Sequence, residues 1–265
     1  MENFNNPLYQ IPIINYHKIE KNFDIGITAR TPEQFEDDMY FLHKHNFQTV
    51  TFRELLKEKK FLPNMVIITF DDAYRSFYTT AYPVLKKYNF SAVVYVPFNY
   101  LGRWNDWDVQ YYGKRFKHIA KEEALEIYKG GMEIGSHSLS HRMLTALDKK
   151  EAEKEIYGSK EALEELLNDQ IISISYPFSR FNDDILTLTH KAGYTFGVAS
   201  LYFKGIQQKY QSLCLKRFNI YRIDGKKSFR KKTEKKNVRL LTFRDWLIQK
   251  GGLATNLHQI LIKQR

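Results

Sequence analysis

Met65-Val66-Ile67-Ile68-Thr69-Phe70-Asp71-Asp72 sets an unbroken apolar run directly against two adjacent carboxylates. A short β-branched run of this kind reads as a buried strand. Working outward, similar runs alternate with longer helical patterns. Ile11–Tyr16 precedes it as a strand, and Thr31 and Pro32 open a helix to about Asn46 as N-cap and first helical residue. After it come a helix around Tyr78–Tyr88, strands at Ala92–Val96 and Met132–Gly135, and a charged amphipathic helix over Asp148–Leu167. Ile171–Ser175, a helix near Asp183–Ala192, Tyr194–Ala199 and Leu215–Ile220 complete the pattern. Such alternation predicts an α/β fold of βα units around a mostly parallel sheet, open or closed into a barrel.

The chain has 265 residues, 41 Lys+Arg against 30 Asp+Glu, and a formal charge of +11. With 43% hydrophobic residues it can bury a substantial core, which excludes a disordered chain. Its single cysteine, Cys214, excludes an internal disulfide framework and a Cys-rich zinc module and reads as a buried thiol. No apolar run is long enough to cross a membrane, and Met1–Gln10 shows neither a basic n-region nor an apolar h-region. The expectation is a reducing, cytoplasmic setting, with export if a leader has been removed. Lys226–Arg239 holds eight basic residues and one acid, +7 of the total, and leaves +4 for the rest. It reads either as a solvated loop or as a site for phosphate-bearing lipid or nucleic acid. Only Phe229 interleaves its charges, which speaks against a stacking surface for nucleic acid.

Polar residues follow four predicted strands: His17, Asp71 with Asp72, His137 with His141, and Pro177. This edge of a parallel sheet or barrel is where active sites assemble. Adjacent carboxylates repel unless a cation or hydrogen bonds stabilise them; the simpler reading has Asp72 capping the next helix and Asp71 in solvent. His137 and His141, four apart, would share one helical face and reach a single metal, or be ordinary polar residues. Together, one carboxylate and two histidines make a three-ligand set with open positions for water and substrate, and the second carboxylate is left as a base. Zinc or another divalent ion fits such a set.

These motifs resemble those of the polysaccharide deacetylases with a NodB-homology domain. Thr69-Phe70-Asp71-Asp72-Ala73 is similar to the first family motif, which usually has Gly where Ala73 stands. Gly135-Ser136-His137-Ser138-Leu139-Ser140-His141 is similar to the second, and Tyr176-Pro177-Phe178-Ser179 to the third, normally ending in Gly. Tyr16-His17, Thr31–Phe35 and Lys216-Arg217-Phe218 add support, and the likeness spans roughly residues 11–222. It implies a distorted, TIM-like (β/α) barrel of about seven parallel strands. It divides the chain into a catalytic region, 1–225, and a basic segment with a C-terminal helical extension of the same domain, 226–265.

The implied reaction is metal-assisted hydrolysis of an N-acetyl or related acyl group on an amino sugar in a glycan, polysaccharide or precursor. Asp72, His137 and His141 would hold a divalent metal, zinc first among the candidates. Asp71 would be the general base, and the Phe178 N–H would help hold the oxyanion. Two departures stand out. Many members have an arginine two residues before the third-motif proline, where this chain has Ser175; Arg180 is the candidate to reach Asp71 instead. The late histidine that protonates the leaving amine has no clean copy: His258 reads as a surface or packing residue, and His17 is the better second titratable group.

Trp104 and Trp107 either offer aromatic faces for a sugar or simply pack within their loop, and Pro177 is a further candidate substrate contact. His43, His45, His118 and His190 read as surface groups. A non-haem iron oxygenase would use the same triad but leaves Asp71 idle, and a catalytically impaired glycan-binding member would explain the departures. Nucleic acid is not an expected partner. An anionic membrane face, contacted through Lys226–Arg239, is the expected location for work on a glycan precursor.

Overall fold

The computed structural model describes residues 7–21, 28–58, 61–106, 115–200, 206–236, 243–245 and 248. In chain order β1 (Ile13–Tyr16), β2 (Lys18–Ile19) and β3 (Ala29–Arg30) precede α1 (Pro32–Lys44), β4 (Gln48–Thr49) and α2 (Phe52–Glu58). Next come β5 (Met65–Phe70), a π-helical turn at Phe77–Ala81 running into α3 (Tyr82–Lys87), β6 (Val93–Val96), α4 (Lys121–Lys129) and β7 (Glu133–Ser136). α5 (Lys149–Leu167), β8 (Ser173–Ser175), α6 (Asp183–Lys191), β9 (Phe196–Ala199), β10 (Leu215–Lys216), β11 (Phe218–Asn219) and α7 (Lys226–Thr233) follow.

Local chemistry sets the helix starts. Thr31 Oγ1 accepts from the Gln34 amide at 3.1 Å while Gln34 Oε1 accepts from the Thr31 amide at 3.2 Å, a reciprocal box ahead of Pro32. Asp148 caps α5 in the same way, and Asn168 ends that helix with a left-handed φ of 51°. No helix among the described residues is long and apolar enough to cross a membrane.

The sheet runs β10-β9-β8-β7-β6-β5-β1-β11, with β4 paired to β5 off that path. Every pairing is parallel. The first and last members of this series are consecutive in the chain, separated by Arg217 alone. One short stretch, 215–219, therefore touches β9 on one side and β1 on the other, nearly closing the sheet into a (β/α) barrel. β10 and β11 are halves of one stave, so the eight segments of the series amount to the seven staves expected.

Strand parity separates two environments. Ile14, Ile68, Val94 and Ile174 pack with Phe35, Leu85, Ile156 and Ile185 of the surrounding helices. Ile13, Ile67, Val93, Val198 and Leu215 pack on one another, with Phe52 of α2, inside the barrel. Moving toward the C-terminal ends, residues of that inner parity change character: Asn15 and His17, Thr69 and Asp71, Gly135 and His137, Ser175, Arg217 and Asn219. An apolar plug fills one end of the barrel and polar groups line the other. Gly135 is required there, because a Cβ would come within 2.5 Å of the Tyr95 ring.

The basic segment is not a solvated loop. Lys226–Thr233 forms α7, Phe229 packs edge-on against Phe41 of α1, and Phe229 and Lys232 are buried. Burying an ammonium requires partners, and Lys232 Nζ has Asp224 at 3.0 Å, Asp245 at 3.4 Å and the Asn219 carbonyl. Lys235 Nζ donates to the Tyr9 carbonyl at 2.6 Å. Lys226, Lys227, Arg230, Lys231 and Lys236 remain exposed, and Arg239 and the rest of the expected C-terminal helix lie outside the described residues. Lys232→Ala removes one of the two cations that Asp224 and Asp245 share, leaving Arg244, and is expected to cost about 1–3 kcal/mol in urea unfolding, whereas Lys231→Ala should leave the midpoint nearly unchanged.

Candidate active site and metal centre

β5 delivers Asp71 and Asp72 to the polar mouth of the barrel. The Asp71 amide still pairs with the Tyr16 carbonyl at 2.9 Å, so its side chain keeps the inward parity. Asp72 then takes a left-handed φ of 66° and Ala73 one of 46°, turning the chain sharply. The two carboxylates thus diverge into separate partnerships.

Asp72 faces the histidines. Its Oδ1 lies 3.4 Å from His137 Nε2 and 3.2 Å from His141 Nε2, and the three ligand atoms fall within 4.8 Å of one another. Neither approach makes a well-formed hydrogen bond, so Asp72 Oδ1 is a buried acceptor without a hydrogen-bond partner. His137 Nδ1 lies 2.7 Å from the Ser175 carbonyl, which fixes a proton on that nitrogen and turns the lone pair of Nε2 inward. Ligand atoms held by one tetrahedral zinc at about 2.1 Å stand about 3.4 Å apart. The donor set, its burial and its spacing therefore fit a divalent metal. Burial works to raise the Asp72 carboxyl, but the His137 and His141 imidazoles outweigh it and hold the group well below the usual range.

The histidines are not on a helix. His137 extends β7, its amide donating to the Val96 carbonyl at 3.0 Å, and the chain then turns through Ser138 at φ 63° and His141 at φ 54°. Ser138 Oγ accepts from the His141 amide at 3.1 Å, and buried Glu155 of α5 accepts from the amide and hydroxyl of Ser140. A braced loop, not helical periodicity, brings the two imidazoles to a ring separation of 4.8 Å.

Asp71 faces a guanidinium that the motif reading did not assign to it. Arg217, fully buried at the barrel closure, donates Nη1 to Asp71 Oδ1 at 2.8 Å and Nη2 to Oδ2, and reaches Ser175 Oγ at 2.7 Å. No ion pair joins Arg180 to Asp71 among the described residues; the arginine expected at position 175 is supplied instead from the closing stave, across the space that small Ser175 leaves. In the structure Leu215, Arg217 and Asn219 alternate inward, a parity that the mixed polarity of the strand hides in the sequence. Burial tends to raise the Asp71 carboxyl, and Arg217 with the His137 and His17 imidazoles outweighs it and holds Asp71 below the ordinary carboxylate range. His17 Nε2 stands 3.9 Å from Asp71 Oδ2, and burial lowers its pKa despite both carboxylates.

Pro177–Ser179 forms a 3-10 turn in which Phe178 and Ser179 take left-handed φ of 58° and 54°. The Phe178 ring packs 4.8 Å from that of His141, so this turn borders the Asp72–His137–His141 cluster. Trp104 is exposed at 54%, and Trp107 lies outside the described residues, as does His258. His118, expected at the surface, is buried. The chain returns beside Tyr74, and His118 stacks on that ring and places Nδ1 2.6 Å from the Asp72 carbonyl. Burial pushes its pKa down to about 4, so it is neutral when it braces the Asp72 backbone. Cys214 is half-buried.

Left-handed φ at non-glycine residues costs of order 1–2 kcal/mol each. Asp72, Ala73, Ser138, His141, Phe178 and Ser179 all carry it, a concentration of strain around one site. Ala73→Gly should relieve part of it, raising unfolding stability by up to about 1 kcal/mol after the entropy cost of glycine, as read by denaturant titration.

Residues 58–197 match the protein-family model described as Polysaccharide deacetylase. The Bacillus subtilis (strain 168) protein YxkH, whose name places it among polysaccharide deacetylases, is 33% identical over 196 residues; the match covers 72% of this chain and 64% of that protein. A poly-beta-1,6-N-acetyl-D-glucosamine N-deacetylase of Staphylococcus aureus (strain MRSA252) is 29% identical over 209 residues, covering 69% of this chain and 70% of the relative. Among solved structures, the Streptococcus pyogenes deacetylase PplD superposes with a TM-score of 0.72 at 24% identity, over 84% of this chain and 98% of its own. IcaB from Ammonifex degensii gives 0.66 at 18% identity, over 83% and 94%. These two likenesses show the shared barrel fold.

Proposed function

Because the chain belongs to the polysaccharide deacetylase family, we propose that it is a metal-dependent hydrolase removing an N-acetyl or related acyl group from an amino sugar. The substrate would be a glycan, polysaccharide or glycan precursor. The observation that carries this reading is the division of labour between adjacent carboxylates: Asp72 turns to two histidines, and Asp71 to a buried arginine. A divalent ion held by Asp72, His137 and His141, zinc first among the candidates, would acidify a water and polarise the amide carbonyl.

Asp71 accepts the proton of the attacking water. Arg217 holds that carboxylate ionised and fixes its plane. The Phe178 N–H, in its left-handed turn beside His141, donates to the oxygen on which charge develops. The leaving amine needs a proton, and His17 is the second titratable group at the rim, beside Asp71. Pro177 shapes the wall next to the acyl group, and the exposed Trp104 ring is a face on which a sugar could stack. Arg180 has no role in this scheme. Arg217 also removes one of the two grounds for a catalytically impaired glycan binder, because a guanidinium reaches Asp71 from another strand; the late histidine is still without a copy. An oxygenase would leave the Asp71–Arg217 pair unused.

Acetate release across nucleotide-linked, lipid-linked and polymeric N-acetylhexosamines tests the reading. Asp71→Asn should retain metal and lose nearly all turnover, whereas His137→Ala and Asp72→Asn should lose the metal itself. Full turnover in Asp71→Asn, or undiminished metal in both ligand variants, would sink the assignment.

We further propose that the outer face of α7 sets location, at the inner face of the cytoplasmic membrane. Lys226, Lys227 and Lys231 are exposed there while Lys232 is committed to the interior, so a surface charge persists after the fold has taken its share. Binding to phosphatidylserine vesicles should weaken with salt and disappear in Lys227→Glu/Lys231→Glu; salt-independent or absent binding removes this assignment.

A further inference from the structure

The proposed chemistry, on which this inference rests, leaves one buried amide at its centre without a role. Asn15 lies on β1, and its side chain makes four contacts. Oδ1 accepts from Thr69 Oγ1 at 2.8 Å and from Arg217 Nη1 at 3.0 Å. Nδ2 donates to Asn219 Oδ1 at 2.9 Å and to Asp71 Oδ2 at 3.3 Å. A guanidinium only donates, so the amide oxygen must face Arg217 and the NH2 must face Asp71. Asn15 thus spans the Arg217–Asp71 ion pair, with one end on each partner.

The consequence is a count of lone pairs. An ionised carboxylate offers about four acceptor positions. On Asp71 Oδ2, one is taken by Arg217 Nη2 and one by Asn15 Nδ2; on Oδ1, one is taken by Arg217 Nη1. Among the described residues, the position left is on Oδ1. The contacts continue outward, although donation converges on Asn219: its Oδ1 also accepts from Ser200 Oγ at 2.8 Å, and the Ser200 amide donates to Ser179 Oγ at 2.9 Å. Ser179 follows Phe178 in the turn beside the metal cluster.

We propose that Asn15 is a positioning residue that makes Oδ1 of Asp71 the proton-accepting atom. Through Asn219, Ser200 and Ser179 it also holds the base in register with the turn that carries the Phe178 N–H. Asn15 touches neither substrate nor metal; it acts by filling Oδ2 and by orienting both members of the ion pair.

The directions of donation give an asymmetric test, made on metal-loaded enzyme with an N-acetylglucosamine oligomer. Asn15→Asp keeps the acceptor toward Arg217 but sets oxygen against Asp71 and Asn219. Asn219→Asp keeps its acceptor role, and the Tyr221 hydroxyl, 3.1 Å away, can turn to donate. Asn15→Asp and the uncharged Asn15→Leu should lower kcat by about 10²-fold, with KM and metal content close to wild type. Asn219→Asp should lose about tenfold less. If Asn15→Asp fails to fold, Asn15→Leu carries the test. Wild-type kcat in Asn15→Leu, equal losses in the two Asp variants, or a loss that appears in KM or metal content overturns the proposal while the deacetylase reading stands. A wild-type protein that releases no acetate removes that reading, and the role of Asn15 with it.

Discussion

The ion pair between Arg217 and Asp71 is the constraint around which the rest of the barrel is arranged. Both groups are buried, and desolvating two charges costs several kcal/mol unless nearly every donor and acceptor is met. The surroundings meet most of them. Ser175 and Asn15 take the remaining reach of the guanidinium, Thr69 supports Asn15, and the Tyr95 ring lies 5.7 Å beneath the charge. That ring can occupy its place only because residue 135 is glycine. A polar mouth above an apolar plug follows directly, because inward positions near this pair cannot be aliphatic without orphaning a charge.

The pair also explains how the closing stave is held. Arg217 sits between its halves, so the residue that balances Asp71 also joins the two ends of the sheet. Two further buried cations grip the chain just beyond it. Lys232 reaches the Asn219 carbonyl, and Arg30 donates to the carbonyls of Tyr221 and Asp224 at 3.0 and 2.7 Å while pairing with Asp38. A two-residue β ladder on each side would be weak alone; the side-chain donors replace what short pairing lacks.

Much of this was legible in the sequence. Asp71, Asp72, His137 and Pro177 are marked by a general rule, polar residues directly after apolar runs, and the barrel strands were found within a few positions, while the two-residue β2, β3 and β4 were not. What escaped has physical reasons. Spacing alone made His137 and His141 look helical, whereas their geometry comes from left-handed turns that spacing does not encode. Arg217 stands in a strand whose inward face carries Leu, Arg and Asn, so no apolar alternation identified that face. Arg180 looked suitable by proximity in sequence, but proximity across a barrel is set by which strands are neighbours. His118 follows a polar stretch, and only the return of the chain beside Tyr74 buries it. In Lys226–Arg239, net charge concealed the amphipathic pattern of Phe229 and Lys232 facing one way.

The position of Arg217 has a consequence for the life of the chain as well as for its chemistry. Asp71 and its counter-charge are 146 residues apart in sequence, and the strand that brings them together is the last to join the sheet order. Contacts of such long range form late, since the entropy of closing the intervening loop must be met first. While the polypeptide is being made, Asp71, Asp72, His137 and His141 can already be emerging from the ribosome with no arginine to hold Asp71. On the proposed mechanism, the centre becomes competent only once the barrel shuts, so the same event that completes the fold would switch on the chemistry.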